Sequence, residues 1–259
     1  MQGEYRDELP KLLESVYKFY CTGKNVNNPQ SLADLQAVLE AQHFAFRLGN
    51  YREAYNLIPR EYLRRWGYWN LSKELYEQIL PYVEGELRSY CLGALGAIHR
   101  DLGNWDLAEK YFKDALAIAE AEDNKIGIAT SLGMLGDIER NRGNWDEAET
   151  LDRQSLEMMK ELGDRKGIAM SIGCLGENEL GRGNLDTAEQ LLTEALGKMQ
   201  KLGMTWHIAE VNYCFARLER SRGNTEVAQQ HYDTAHQIFQ QLGAAKDLEK
   251  IDREWHNSD

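Results

Sequence analysis

The sequence predicts an all-α protein in which pairs of antiparallel helices stack into a solenoid. The first observation is that 22 glycines recur at set intervals, while only 4 prolines occur. The second is that the dipeptide Gly-Asn returns every 40 residues, at Gly103-Asn104, Gly143-Asn144, Gly183-Asn184 and Gly223-Asn224. Apolar columns keep the same period, at Ala108, Ala148, Ala188 and Ala228. A period shared by several columns indicates a repeat architecture, in which stacked neighbours bury a continuous core.

The turn residues predict where the helices of each unit begin and end. Glycine at the end of a helix supplies the left-handed residue, and the following asparagine is a candidate N-cap for the next helix. Asn144 and Glu147 have the spacing of a capping box, and an acidic residue falls in each first turn, where it favours the helix dipole. A second break at Leu162-Gly163 and its equivalents leaves two helices of roughly 16 residues in each unit, about 24 Å long.

Three parts are predicted along the chain. Residues 1–85 form an irregular helical part with helices over 5–22, 31–48, 51–66 and 69–83, where Pro59 splits or kinks the third and 51–83 is a candidate degenerate repeat. Residues 86–243 form four units, at 86–125, 126–165, 166–205 and 206–243. Residues 244–259 form a capping helix and tail, because a terminal unit presents one face to water.

Charge and composition restrict the classes of function. The net charge is -12, which disfavours binding to nucleic acid and to anionic membranes. No basic leader or long apolar run is found in the sequence, so we expect a cytoplasmic protein. The four cysteines, at positions 21, 91, 174 and 214, form no C-x-x-C pair and are expected to be reduced and buried in helices.

No catalytic or metal-binding motif is found in the sequence. Histidines are scattered, and His231 and His236 are five residues apart, so they do not share a helix face well. We therefore expect a protein that is not an enzyme and that needs no cofactor and no metal ion. Trp105 and Trp145 occupy a packing column, whereas Trp66 and Trp69 are either packing residues or a patch that faces a partner.

The columns resemble the tetratricopeptide repeat, with a large residue after the Gly-Asn turn, alanine three positions later and Leu-Gly before it. The 40-residue form is similar to the repeats of kinesin light chains, of Pins-type adaptors and of the sensor regions of bacterial signal-transduction ATPases. The segment 62–81 resembles the stretch that precedes the repeats in those ATPases, although no phosphate-binding loop is present in this chain. The resemblance implies a right-handed superhelix whose first helices line a concave groove.

The resemblance also implies which side chains line that groove. They are Tyr90, Arg100, Thr130, Asp137, Arg140, Asn141, Glu177, Glu210, Tyr213, Arg217 and Arg220. Arg100, Arg140 and Arg220 share one column and are candidates to clamp the backbone or carboxylates of a guest. The alternative is that Asp137 and Glu177 pair with Arg140 and neutralise the groove.

The predicted function is to bind a protein or a peptide in this groove, as the sensor or adaptor part of a bacterial signalling system. A receptor that encloses one short regulatory peptide is the second hypothesis, and a helical enzyme is the third.

Overall fold

The structure, a computed structural model, describes residues 14–18, 29 and 31–256. Its regular part consists of nine helices that follow one another through tight turns. They are α5 (Gly85–Asp101), α6 (Trp105–Ala121), α7 (Lys125–Asn141), α8 (Trp145–Leu162), α9 (Arg165–Arg182), α10 (Leu185–Lys201), α11 (Thr205–Ser221), α12 (Thr225–Gln241) and α13 (Ala245–His256). They form four antiparallel pairs and one closing helix, as the period predicts, and the described residues contain no β-strand. The architecture is a right-handed α-solenoid.

The preceding part is helical but irregular. A short 3₁₀ turn (Leu32–Leu35) leads into α1 (Gln36–Arg47), α2 (Tyr51–Asn56), α3 (Arg60–Arg65) and α4 (Trp69–Ile79), which is followed by a second 3₁₀ turn (Leu80–Tyr82). Pro59 divides the predicted helix 51–66 into α2 and α3, since a proline removes a backbone donor. Of the predicted helix 5–22, residues 14–18 are helical, and the rest lies outside the described residues, as does Cys21.

The glycines at the turns adopt the conformation that the sequence predicts, but the asparagines do not act as predicted. Gly143 has a φ of 79°, a value that glycine adopts without steric cost. Asn144 occupies the N-cap position of α8 without a capping hydrogen bond from its side chain. Its amide instead donates to Glu139 Oε2 at 2.7 Å, at the end of the preceding helix. The predicted capping box of Asn144 and Glu147 is therefore wrong, because the asparagine side chain turns back and ties the two helices of a unit together.

Small residues set the distance between the paired helices. Ala108, Ala148 and Ala188 are fully buried. A methyl group added at Gly96 would lie 2.6 Å from the ring of Phe112, closer than packed atoms can approach. Trp145 covers Gly181 in the same way, so the packing interpretation of this tryptophan column agrees with the structure.

An outer row of arginines joins successive units. Arg182, at the end of α9, contacts Glu179 in its own helix at 2.8 Å and Asp146 in the preceding unit at 2.6 Å. Arg142 and Arg222 make the equivalent contacts in their units. These pairs are partly exposed, so each contributes at most about 1 kcal/mol. They link the end of each first helix to the unit before it.

The two ends of the array touch each other. Helix α3 packs against α13, and the Lys246 side chain lies against Gly67. The guanidinium of Arg64 lies 4.3 Å from the ring centroid of Trp206 in α11, and its Nε lies 3.4 Å from Asp101 Oδ2 in α5. The repeat pattern does not predict this closure, since it depends on the accumulated rotation of all the units.

Candidate functional site

The first helix of each unit lines the inner side of the curved array. Helices α5, α7, α9 and α11 contact one another in succession, while each second helix packs between its own first helix and the next one. First helices that approach each other this closely must lie on the shorter, concave side. One column of side chains, spaced by 40 residues, follows this concave surface. It consists of Tyr90, Thr130, Met170, Glu210 and, on α13, Lys250.

A line of alternating charges runs along the same surface. Arg100 Nη1 lies 2.8 Å from Asp137 Oδ2, and its Nη2 lies 2.8 Å from Asp101 Oδ1. Arg140 pairs with Asp137 and, at 3.4 Å through its Nε, with Glu177 Oε2. Together with Arg64 on Asp101, these pairs connect α3, α5, α7 and α9. We call this chain of pairs the concave charge line. It consists of Arg64, Asp101, Arg100, Asp137, Arg140, Glu177 and Arg217.

Arg140 is the most deeply buried member of the concave charge line. Its side chain is 7% exposed and reaches Asp152 Oδ2, on α8, at 2.9 Å. It also donates to Asn178 Oδ1 at 3.0 Å. Burial raises the pKa of Asp152 to about 7, with Asp137 adding to the rise and Arg140 and Asn178 opposing it. These contacts form the polar interior of the second and third units.

The line continues through Glu177 into the last unit. Arg217 Nη1 lies 3.1 Å from Glu177 Oε1, and the cations of Arg140 and Arg217 lower the pKa of Glu177 against the opposing effect of burial. Glu210 differs, because burial raises its pKa to about 8, Glu177 and Asp247 add to the rise, and Arg64 and Lys250 oppose it. Acidic and basic groups thus face each other across the concave surface.

The remaining predicted groove residues either contact α13 or are exposed to solvent. The Tyr213 hydroxyl donates to Glu254 Oε2 at 3.1 Å, on α13, and Arg220 donates to the Trp255 carbonyl at 2.9 Å while lying over its ring. Thr130 is exposed. Asn141 is also exposed and donates to the Asp137 carbonyl.

Of the two alternatives for the arginine row, internal pairing is the arrangement in the structure. The guanidinium groups of Arg100, Arg140 and Arg217 each contact at least one carboxylate, and Arg220 is engaged with α13. A clamp made of free guanidinium groups at Arg140 and Arg220 does not fit these contacts, because a guest would have to displace buried partners. Within the column that follows the concave surface, Thr130, Met170 and Lys250 are exposed.

A pocket lies beside Tyr90, where the irregular helices meet the first unit. Its volume is about 340 Å³, and it is lined by Arg52, Tyr55, Asn56, Arg60, Leu87 and Tyr90. The rings of Tyr55 and Tyr90 stack with centroids 6.3 Å apart. Of these lining residues, only Tyr90 was singled out from the sequence. Arg52 and Arg60 follow no period, so no sequence signal marks them.

Three other polar residues, two at the concave surface and one buried behind it, were missed. Lys250 continues the column of Tyr90 at the 40-residue interval, so the period could have revealed it in the capping helix. Arg64 carries no periodic signal, because its position depends on the contact between the two ends. Asp152 was also missed, because its equivalents at the 40-residue interval, Phe112, Leu192 and Tyr232, are buried core residues.

The described part of the chain offers neither a metal-binding cluster nor a helix suited to cross a membrane. No group of three or more histidine, cysteine or acidic side chains could hold a metal ion there. His231 instead stacks on Phe215. No helix among residues 14–18 and 31–256 combines the length and the apolar content that a bilayer span needs. Cys91, Cys174 and Cys214 are free thiols.

Comparison with protein families gives one match, and comparison with curated sequences gives none. The sequence model of the tetratricopeptide repeat matches residues 86–161 and 127–201. No curated protein sequence matches the chain. The matched residues span the first two predicted units and most of the third.

Comparison with solved structures finds the same fold at low sequence identity. Aspartyl phosphate phosphatase F from Bacillus subtilis has a TM-score of 0.63 and 13% identity, over 82% of this chain and 67% of that chain. The Rap conjugation gene regulator of the plasmid pLS20, in complex with the Phr* peptide, has a TM-score of 0.63 and 17% identity, over 90% of this chain and 62% of that one.

A third structure is a signal-transduction ATPase with numerous domains and a tetratricopeptide repeat sensor, from Pyrococcus horikoshii. Its TM-score is 0.55 at 16% identity, and the match covers 93% of this chain and 42% of the ATPase. The chain therefore spans less than two thirds of the plasmid regulator and less than half of the ATPase. At these identities the comparisons show a shared fold alone.

Proposed function

Because residues 86–201 are tetratricopeptide repeats, we propose that the chain is a scaffold that binds a protein or a peptide along its concave groove. The observation that carries this proposal is the exposed column beside the concave charge line, with Thr130 and Met170 on first helices and Lys250 on α13. A preformed surface of this kind binds a segment without a large cost of ordering itself.

The charges of the groove favour a polar guest that carries both signs. Arg100, Arg140 and Arg217 are already paired, so they add little net attraction for a simple polyanion. The groove also presents charges of both signs to a guest, the exposed ammonium of Lys250 and the partly exposed carboxylate of Glu177. A guest with alternating charges would match them at small cost, which gives orientation and selectivity more than affinity.

A short peptide enclosed by the array is the second candidate. It is favoured by the contact between the two ends, where Arg64 lies on Trp206 and α3 packs on α13. A groove whose ends touch offers an extended segment more contacts than a folded domain. The plasmid regulator of the same fold is a complex with a peptide, which supports this candidate by analogy of fold only.

The finer part of the proposal is a role in signalling, as the sensor or adaptor of a larger system, in the cytoplasm and without a catalytic step. Its support is the fold shared with the repeat sensor of the signal-transduction ATPase. Binding would be transmitted by small rotations between units, which change the contact between the two ends. Hydrolytic or transfer activity that disappears with one point substitution would contradict this part.

The test blocks the groove without disturbing the core. We expect Thr130→Trp, on the concave side of α7, to weaken binding of a partner identified by affinity purification from the native host by at least about tenfold. Gln154→Trp, on the exposed face of α8, is the matched control and should bind as the natural chain does. Equal binding by both variants, with unchanged circular dichroism, would reject the groove as the binding surface.

A further inference from the structure

The pocket beside Tyr90 differs in charge from the rest of the concave surface. Arg60 makes no ion pair with any residue that the structure describes, and its Nη1 donates to the Tyr55 hydroxyl at 3.2 Å. Its guanidinium lies over the Tyr55 ring, 5.4 Å from the centroid. This contact holds the side chain in place while most of its donors stay free, since a guanidinium has five N–H groups.

The second arginine of the pocket is only weakly neutralised. Arg52 Nη2 lies 3.6 Å from Glu86 Oε2, and the Arg52 side chain is 65% exposed. The same carboxylate accepts a hydrogen bond from the Tyr90 hydroxyl at 2.7 Å, which draws it toward Tyr90. Two guanidinium groups and no carboxylate line this pocket, whereas Glu53 and Glu84 line an adjoining cleft that shares Arg52. The pocket lining is therefore positive, in a chain whose net charge is -12.

The remaining lining groups suit the end of a peptide. Leu87 and the stacked rings of Tyr55 and Tyr90 supply apolar walls. Asn56, which is exposed, offers an amide that can donate and accept. A volume of about 340 Å³ accommodates one large side chain with its carboxylate, at the small end of the range for ligand pockets.

We propose that this pocket is an anion subsite that binds a carboxylate of the guest, with Arg60 and Arg52 as the donors and an apolar side chain of the guest against Tyr55 and Tyr90. The inference rests on the proposed groove function, because it assigns one end of the guest to the start of the groove. The carboxylate comes either from the carboxyl terminus of the guest or from an aspartate or glutamate side chain. Both offer the same two oxygens to a guanidinium.

The experiment titrates the full chain with three short peptides. The first is acetyl-Gly-Ala-Leu-Phe with a free carboxyl terminus, the second is its carboxyl-terminal amide, and the third is acetyl-Asp-Ala-Leu-Phe amide. NMR signals of the arginine side-chain Nε–H groups report the site, and the dissociation constants report the affinity. We expect at least one carboxylate peptide to shift the Arg60 signal and to bind about tenfold more tightly than the uncharged amide.

Variants assign that difference to the pocket. Arg60→Gln should abolish the tenfold preference, and Arg52→Gln should reduce it. Arg165→Gln, at an exposed position at the start of α9, is the matched control and should keep it. A preference for the first peptide alone identifies the chain terminus as the source, and a preference for the third alone identifies an acidic side chain. Equal binding of all three peptides to the natural chain would overturn the anion subsite.

The two proposals fail in different ways. If a partner loses affinity with Thr130→Trp but keeps it with Arg60→Gln, the anion subsite is wrong and the groove function stands. If the partner is insensitive to both substitutions, the groove function is wrong as well. Rising salt should weaken the carboxylate peptides more than the amide, because an exposed ion pair is screened.

Discussion

The regular units and the irregular helices before them treat their arginines differently. In the units, Arg140 is 7% exposed and contacts carboxylates from three helices. In the irregular part, Arg60 is exposed and has no carboxylate partner among the described residues. The first helix of the next unit supplies carboxylate partners for Arg100 and Arg140. Arg60 has no such neighbour, although Arg64 and Arg65 beside it are paired, so its guanidinium stays available for another molecule.

The largest expected effect is a difference in stability between a variant of the regular units, Arg140→Ala, and a variant of the irregular part, Arg60→Ala. Arg140→Ala leaves Asp152, which is 1% exposed, without its cation, and we expect the free energy of unfolding to fall by about 3–5 kcal/mol. Arg60→Ala removes an exposed side chain and should change it by less than about 0.5 kcal/mol. Urea unfolding followed by circular dichroism measures both. Similar losses for the two variants would contradict the distinction between the regions.

A smaller effect tests the spacing of the helix pair in the first unit. Gly96→Ala places a methyl group 2.6 Å from the Phe112 ring and should destabilise the protein by about 1–3 kcal/mol. Gly93→Ala, in the same helix, meets no atom within 4 Å and should be neutral or stabilising by up to about 1 kcal/mol. Thermal unfolding separates them, and an equal gain for both would show that the helices are not closely packed at Gly96.

The contact that Arg64 of the irregular part makes with the regular units should contribute less to stability. Arg64→Ala removes the guanidinium from Trp206 and from Asp101, at a cost of about 0.5–2 kcal/mol. We expect the ends to separate, so the radius of gyration measured by small-angle scattering should increase. Arg65→Ala is the matched control, because Arg65 pairs within its own helix, with Glu61. An unchanged scattering curve for Arg64→Ala would show that α3 and α13 hold the closure without this arginine.

A separate prediction concerns how stability changes with pH. The pKa of Glu210 is raised to about 8, so between its ordinary value of 4.5 and about 8 the folded chain holds a proton that the unfolded chain has lost. Stability from this group is therefore lost as pH rises through that range. Glu210→Gln should flatten the decline measured between pH 5 and 8, while Glu157→Gln, at an exposed position, should not. An unaltered slope for Glu210→Gln would show that this carboxyl ionises normally in the folded chain.

The period predicts most of the fold because each turn contains its own signal. Gly143 and its equivalents end the helices as expected, and Pro59 divides α2 from α3. The spacing of Asp137 and Arg140 on one helix also anticipates their pairing. These predictions depend on contacts within one unit or between neighbours.

What the sequence does not predict depends on longer distances. The contact of Arg64 with Trp206 requires the summed rotation of all four units. The Asn144 side chain can either cap α8 or donate to Glu139 at the end of α7. It donates to Glu139, and this choice depends on where the end of the neighbouring helix lies. Arg60 and Arg52 meet at the pocket through packing of short helices without a period. Their meeting therefore leaves no pattern in the sequence.

Site-specific photo-crosslinking tests the central claim most directly. A photoreactive phenylalanine derivative replaces Met170, which is 37% exposed on α9 in the concave column, or Gln154 on the exposed face of α8. With a partner identified in the native host, the account predicts a covalent adduct from position 170 and none from position 154. An adduct from position 154 with none from position 170 would contradict a guest in the concave groove.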